Sequence, residues 1–167
     1  GSAYRLTIED FPDSFKENRI FVEPIEFKDS KKILDAYGNY GVTPSIVEQF
    51  LEHGSVTDNE FTIVNILRAR QLAESLKVPD ILEMAKELID QKKSVVIFVN
   101  FRETVNALTD VLRCPSITGG QNPYKRQEII DKFSLDEERV LVVNIAAGGT
   151  GLSLHDTIGD YPRGALI

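Results

Sequence analysis

The sequence predicts an α/β protein built on a parallel β-sheet, and two features of its second half indicate this. The segments Ser94–Val99 and Val140–Val143 are almost entirely apolar, as in strands that are buried on both faces. Segments in which apolar residues recur at helical spacing alternate with these strands along the chain. This alternation is typical of a parallel sheet whose strands are joined by right-handed crossover connections.

Length, charge and cysteine content limit the number of domains, the kinds of partner and the cellular compartment that we expect. At 167 residues and 42% hydrophobic content, the chain can bury the core of one domain with an extension. Its 26 acidic and 19 basic residues give a net charge of −7, so any contact with phosphates must be local. The densest apolar run, Val95 to Val99, is far too short to span a bilayer, and we expect no membrane association. A single cysteine, Cys114, suits a reducing compartment, and we expect a cytoplasmic protein.

Residues 3–93 are expected to form a mainly helical extension that packs on the α/β part. Residues 20–27 are predicted to be an extended arm or a strand pair that is interrupted at Pro24. The first clear helix begins at Pro44, because a threonine N-cap, Thr43, followed by proline favours a helix start.

Two further helices are predicted to follow, with a break at Pro79, because proline usually ends a helix. The first covers about residues 60–76, and the second begins at Asp80, which is suited to cap it. In the first helix the residues expected to face the core are Phe61, Val64, Leu67 and Leu72. Arg68 and Arg70 on the same helix are candidates for phosphate contact, although an exposed face with ordinary ion pairs is the favoured interpretation.

Residues 94–167 are expected to form the second domain. Its first strand, Ser94–Val99, is followed by a helix with Asn100 as the predicted N-cap. The residues expected on the buried face of this helix are Val105, Leu108, Val111 and Leu112. A short strand over Pro115–Thr118 and a turn at Gly119-Gly120 come next.

A second helix of this domain is predicted to begin at Asn122, where a cap residue is followed by Pro123. The residues expected to face the core from it are Ile129, Ile130 and Phe133. An acidic loop then leads to the strand Val140–Val143, and a last strand begins near Ala165.

A glycine-rich loop follows the strand Val140–Val143. It contains Gly148, Gly149 and Gly151, so little side chain keeps other atoms away from its backbone. Ligands of open α/β sheets bind at the carboxyl ends of strands, which places this loop where it can meet one. A tight turn without a ligand is the alternative interpretation.

The sequence contains no complete catalytic motif. It has neither the P-loop G-x-x-x-x-G-K-[ST] nor the dinucleotide-binding G-x-G-x-x-G. Cys114 and the two histidines, His53 and His155, form no zinc pattern, and no metal site is expected. His155 and Asp156 are neighbours, but a loop pair that binds backbone groups is the favoured interpretation.

Three segments, in order, resemble motifs of the second RecA-like lobe of superfamily 2 helicases and translocases, most closely the SNF2-like branch. Residues 94–101, SVVIFVNF, resemble the motif IV strand and its exit. Gly119-Gly120 and residues 126–133, RQEIIDKF, match the G…R-x3-I-x2-F pattern that lies between motifs IV and V. Residues 147–154, AGGTGLSL, resemble motif V, which reads A-G-G-x-G-x-N-L in the SNF2-like form. Residues 154–163 also resemble viral and phage-type members of this branch.

The resemblance implies the second motor lobe of an ATP-dependent helicase or DNA translocase. In the family, ATP and Mg²⁺ lie between two RecA-like lobes and are held mainly by the first, which is the expected partner lobe of this chain. The implied nucleotide-binding residues are Gly149, Gly151 and Ser153. The implied nucleic-acid-binding residues are Asn100, Phe101, Gly119, Gly120 and Asn144. Backbone amides and short polar groups at these positions can bind phosphates without a basic surface. The resemblance also leads us to expect DNA rather than RNA as the partner.

The resemblance also implies that this chain is inactive by itself and contains no catalytic residue. Motif VI, which carries the arginine finger of the family, is not in the sequence, and Arg163 precedes the last strand instead of following it. Loss of such an arginine slows phosphoryl transfer by about three to five orders of magnitude. Thr150 and Ser153 also depart from the motif V pattern at the apolar and Asn positions. We therefore expect neither ATP hydrolysis nor tight ATP binding by this chain.

Two other functions stay open. A non-catalytic α/β interaction module would not require an intact glycine-rich loop. A Rossmann-type dinucleotide enzyme would place an acidic residue at the end of its second strand, whereas residues 116–118 are Ser-Ile-Thr.

Overall fold

The computed structural model describes residues 22–53, 60–148, 152, 154 and 158–167. Along these residues lie six helices and four strands: α1 Ser30–Asn39, α2 Pro44–His53, α3 Glu60–Asp90, β1 Ser94–Val99, α4 Arg102–Leu112, β2 Ser116–Ile117, α5 Pro123–Ser134, β3 Val140–Asn144, α6 Ile145–Gly148 and β4 Arg163–Leu166.

The four strands form one parallel sheet in the order β2-β3-β1-β4. Strand β1 lies in the centre, where Val95 pairs with Val140 of β3 on one side and with Gly164 of β4 on the other. The predicted α/β fold with a parallel sheet is confirmed. The fourth strand, expected near Ala165, begins two residues earlier.

Apolar side chains cover both faces of the sheet, which explains why β1 and β3 are apolar without alternation. On one face Val95 and Ile97 pack with residues of α3 and α4, including the buried Ala85 and Leu108. On the other face Val96, which points the opposite way, packs in a second cluster of buried residues: Ile117, Ile129, Phe133, Leu141 and Val143. The core positions predicted in α5 are confirmed, with Ile130 partly buried against the same cluster.

Helix α3 continues without interruption from Glu60 to Asp90, so the predicted break at Pro79 is wrong. Pro79 lies on the exposed side of the helix, where the carbonyl that loses its hydrogen bond can be hydrated. Ala73 and Ile81 on either side are buried, so packing holds both halves of the helix in place. Asp80 therefore caps nothing; its carboxylate accepts a hydrogen bond from the Lys28 amide at 3.0 Å.

The buried face of the first half of α3 also differs from the prediction. Val64 and Leu67 are 41% and 48% exposed, whereas Ile66 and Ala69 are buried with Val42 in a small third cluster. Small side chains such as Ala69 allow α1 to approach α3 closely, and a count of large apolar residues does not reveal this. Leu72 is partly buried, and the Phe61 side chain is outside the described residues.

Before α3, the described residues contain one element that was not predicted and one that was. Residues 22–27 form no helix or strand, and Phe27 packs against the core between α3 and the sheet. Helix α1 follows, although its sequence carried no clear helix signal. Helix α2 begins at Pro44 as predicted, with the Thr43 hydroxyl accepting from the Ile46 amide at 3.4 Å. The part of the predicted arm before residue 22 lies outside the described residues.

Short sequence patterns in the second half predicted the start of α5 and the strand β2, but not the exposure of Val111. Asn122 caps α5, and its side chain accepts from the Tyr124 amide at 2.9 Å, as its position before Pro123 predicts. The predicted short strand over residues 115–118 is present as β2, Ser116–Ile117, whereas Val111 of α4 is 53% exposed instead of buried. In the described part of the chain, no helix is long and apolar enough to cross a membrane. The division into residues 3–93 and 94–167 stays a prediction.

Candidate functional site

The described members of the predicted nucleic-acid site lie along the carboxyl edge of the sheet. Asn144 is the last residue of β3, Asn100 and Phe101 directly follow β1, and Gly119-Gly120 form the turn after β2. Because β2, β3 and β1 are parallel neighbours, the three segments emerge on the same side of the sheet. The fold therefore brings together residues that are far apart in sequence.

Two of these residues are in direct contact. The side-chain amide of Asn144 donates from Nδ2 to the backbone carbonyl of Asn100 at 2.9 Å. The pairing of Val99 with Asn144 across the two strands places them next to each other. This hydrogen bond ties the ends of β1 and β3 together.

The N–H groups at the exit of β1 are bound by Glu74, a residue of α3 that the sequence did not single out. One carboxylate oxygen of Glu74 accepts from the Asn100 amide and from Asn100 Nδ2, both at 2.9 Å. The other oxygen accepts from the Phe101 amide at 3.0 Å. The prediction of Asn100 as the N-cap of α4 is wrong, because Phe101 holds that position and makes no side-chain capping bond. Because Glu74 lies 26 residues before Asn100, no short sequence pattern indicates this contact.

A cavity of about 230 Å³ lies beside Glu74, between α3, the carboxyl ends of β1 and β4, and the segment before α1. Arg70 and Lys77 contribute charged groups to its wall, and Lys77 Nζ lies 4.9 Å from the centre of the Phe27 ring. Arg68 is exposed and does not line the cavity. Of the two arginines that were candidates for phosphate contact, Arg70 is therefore the one next to the edge of the sheet.

The side chain of Gln121 stabilises the turn at Gly119-Gly120 through two hydrogen bonds. Gln121 accepts from the Thr118 amide at 3.1 Å and donates to the Ser116 carbonyl at 2.8 Å. Gly120 has φ +80°, and a Cβ added to either glycine would meet no atom within 4 Å. The backbone of this turn is thus open to an approaching molecule.

The predicted nucleotide-binding residues, Gly149, Gly151 and Ser153, lie outside the described residues, as do His155 and Asp156. The described Leu152 and Leu154 pack against the cluster that contains Phe133 and Leu141. The preceding helix α6 begins directly after β3, so the segment leaves from the carboxyl edge of the sheet.

Two arginines lie at the opposite, amino edge of the sheet and bind parts of the chain itself. Arg163 Nη1 lies 2.6 Å from the Asp136 carboxylate, and its Nη2 donates to the Phe133 carbonyl at 3.0 Å. Arg139 donates to the Lys93 carbonyl at 2.8 Å and lies 3.4 Å from the centre of the Tyr161 ring. These contacts place both guanidinium groups away from the predicted site.

The described residues show no metal centre and no activated thiol. Among them, no group of three or more His, Cys, Asp or Glu residues could hold a metal ion. Burial raises the pKa of the Cys114 thiol to about 11, so it stays protonated at neutral pH. Cys114 is partly buried against the core and packs there as a small apolar residue.

The family model of the helicase conserved C-terminal domain matches residues 77–158. By this match, the α/β part of the chain is similar to a helicase C-terminal domain. The matched region begins inside α3 and includes β1, β2 and β3 with the turns that follow them. The exits of β1, β2 and β3 therefore all lie within the matched region.

Two individual proteins also match this chain. An ATP-dependent RNA helicase of Acanthamoeba polyphaga mimivirus, named so provisionally, is 32% identical over 164 residues, which are 98% of this chain and 30% of that protein. The chain thus spans about 30% of the length of the curated relative it matches. In the crystal structure of the Pyrococcus furiosus Hef helicase domain, the matching part is 21% identical, with a TM-score of 0.36, and covers 70% of this chain and 25% of that one.

Proposed function

We propose that this chain is the second motor lobe of an ATP-dependent nucleic-acid helicase or translocase of the SNF2-like branch. The observation that carries the proposal is the carboxyl edge of the sheet, where the exits of β1, β2 and β3 lie side by side within the region that matches the helicase C-terminal domain. This edge would form one wall of the ATP cleft and one side of the track for the nucleic acid. The first RecA-like lobe, which would bind most of ATP and Mg²⁺, is the partner that completes the motor.

In this function the backbone of a nucleic-acid strand runs along the edge of the sheet. The amides of Asn100 and Phe101, the side chain of Asn144 and the open turn at Gly119-Gly120 would contact successive phosphates. Contacts of this kind position a strand without reading its sequence. Because the net charge of the chain is −7, binding would depend on these local groups and weaken with added salt.

The glycine-rich segment after β3 is the proposed contact with the nucleotide. Gly149 and Gly151 would let the backbone approach ATP, and the Ser153 hydroxyl would lie near the ribose. Arg163 would not act on ATP, because its guanidinium group binds Asp136 and Phe133 at the other edge of the sheet. We therefore propose that the chain by itself does not hydrolyse ATP.

The proposal also concerns whether the bound nucleic acid is DNA or RNA. The resemblance to the SNF2-like branch favours DNA, whereas the mimivirus relative is named an RNA helicase. We retain DNA as the proposed partner and include RNA in the test. We also propose an intracellular, reducing location, a helical extension over residues 3–93, and a lobe over residues 94–167.

The test is the rate of ATP hydrolysis of this chain and of a longer protein that contains it together with the first lobe. Each is measured with and without single-stranded DNA, double-stranded DNA and RNA. We expect no ATP hydrolysis by this chain, and we expect DNA to stimulate ATP hydrolysis by the longer protein strongly. Hydrolysis by the 167-residue chain alone would contradict the assignment as a second lobe. A longer protein that no nucleic acid stimulates would favour an interaction module instead.

A further inference from the structure

We propose that Glu74 and a phosphate of the nucleic-acid backbone compete for the same N–H groups at the exit of β1, so that strand binding releases Glu74. The proposal depends on the proposed function, because that function places the strand at this exit. It adds a residue of α3 that controls access to the track.

The first step is the geometry of the bound carboxylate. Glu74 uses both of its oxygens to accept three hydrogen bonds of 2.9 to 3.0 Å from Asn100 and Phe101. Two of the donors are consecutive backbone amides, and both donate to the same anionic group. A phosphate has the same negative charge and the same pair of acceptor oxygens. While Glu74 is bound, it occupies these three N–H groups, and a phosphate must displace it to bind there.

The second step is a place for the released carboxylate. Arg70 precedes Glu74 by four residues and Lys77 follows it by three, so both lie on the same side of α3 and line the same cavity. Within the described part of the chain, no carboxylate lies within ion-pair distance of Arg70 or Lys77. A released Glu74 can therefore form an ion pair one helical turn away, which offsets part of the loss of its hydrogen bonds.

The third step is the consequence for binding. Glu74 keeps the N–H groups in a geometry that suits an anion, but every bound phosphate must first replace it. Weakening the Glu74 contact should therefore strengthen strand binding. A residue that only supports the site would have the opposite effect.

The test compares the affinities of the wild-type chain and two Glu74 variants for 12-nucleotide oligo(dT) and oligo(U), measured by fluorescence anisotropy at fixed salt. Glu74→Gln removes the charge, and Glu74→Asp keeps it but is too short to reach both sets of donors. We expect Glu74→Gln to bind about five- to tenfold more tightly, on the order of one ordinary hydrogen bond. Glu74→Asp should bind more tightly as well, by a smaller factor.

The matched control is Glu83→Gln, which removes the same charge from the same helix. Glu83 is exposed and pairs with Lys28, not with the edge of the sheet. We expect the affinity of Glu83→Gln to stay within about twofold of the wild type, since exposed charges far from a ligand contribute little. An equal gain in Glu83→Gln and Glu74→Gln would show a net-charge effect and overturn the proposal.

Amide resonances of Asn100 and Phe101 in ¹⁵N–¹H spectra separate this proposal from the proposed function. If both move on addition of oligonucleotide but the Glu74 variants bind no more tightly than the wild type, the competition is refuted and the nucleic-acid track stands. If neither residue moves and no protein binds, the track at this exit is refuted, and the competition with it. Movement of both residues together with tighter binding by both Glu74 variants supports the competition.

Discussion

Asn144 donates a hydrogen bond from its side chain to the backbone carbonyl of Asn100 at 2.9 Å, and this bond joins the carboxyl ends of two neighbouring parallel strands. The same Asn100 gives its own N–H groups to Glu74, so one residue links β3, β1 and α3 at the edge of the sheet. The proposed track is therefore held in place by side-chain bonds between elements as well as by the sheet. Its shape should depend on each of these bonds.

Replacing Asn144 by alanine tests the first link. The variant leaves the Asn100 carbonyl without this donor, and we expect a loss of about 1 kcal/mol in the free energy of unfolding, as for one ordinary hydrogen bond. Urea denaturation of the chain measures it. Asn106→Ala, an exposed change on α4, is the control and should leave stability nearly unchanged. Equal stability of Asn144→Ala and wild type would show that the bond contributes nothing.

The Arg163–Asp136 pair at the amino edge should contribute strongly to stability. The side chains are only 16% and 5% exposed, so replacing Asp136 removes a buried charged partner of Arg163. We expect Asp136→Asn to lose about 3 to 5 kcal/mol in the free energy of unfolding. Asparagine is suited to this replacement because Asp136 has φ +58°, a region that asparagine also tolerates.

The control for this pair is Lys132→Gln, which breaks the exposed pair with Glu128 on α5. Its denaturation curve should overlay that of the wild type, because exposed ion pairs contribute little. Similar midpoints for Asp136→Asn and Lys132→Gln would contradict the structural role of Arg163.

Two adjacent glycines provide a matched pair of variants. Gly120 has φ +80°, whereas Gly119 has no positive φ, and both have open space around the position of a Cβ. We expect Gly120→Ala to lose about 1 to 2 kcal/mol in the free energy of unfolding through backbone strain alone. Gly119→Ala should be close to neutral. Thermal or urea unfolding of the two variants measures this difference. An equal loss of stability in both variants would show that the positive φ of Gly120 does not cause the loss.

Cys114 should make stability depend on pH at the alkaline end. Burial raises the pKa of its thiol from the ordinary value of 9.0 to about 11, so the folded protein holds this proton more tightly than the unfolded chain. The contribution is complete below about pH 9 and is lost as the pH rises toward 11, since only the unfolded chain ionises in that window. The wild type should therefore lose stability between these values faster than Cys114→Ala, in which other groups titrate equally. Parallel pH profiles for the two proteins would exclude this linkage.

Local patterns were enough to predict the elements that depend on local physics. The uninterrupted apolar runs of β1 and β3 indicate strands covered on both faces, and the structure confirms this. The start of α5 followed from Asn122 and Pro123, because a cap and a fixed φ act within one turn of helix. The family resemblance implied that Asn100 and Asn144 belong to one site, but it did not imply the hydrogen bond between them.

Long-range packing decided the rest. Pro79 was expected to end a helix, but buried neighbours on both sides keep α3 continuous. Large apolar residues such as Leu67 were expected inside, yet small residues such as Ala69 permit the close helix contact and occupy the interior. Neither outcome can be derived from a window of a few residues, because each depends on which element packs against the helix.

The sequence by itself determined an α/β sheet and the motifs along its carboxyl edge, since apolar periodicity and glycine placement act over a few residues. Only the tertiary structure showed that Glu74, 26 residues before Asn100, occupies the N–H groups at the exit of β1. Such a contact forms only when α3 packs on the sheet, and the distance between Glu74 and Asn100 in the fold cannot be derived from their separation in the sequence.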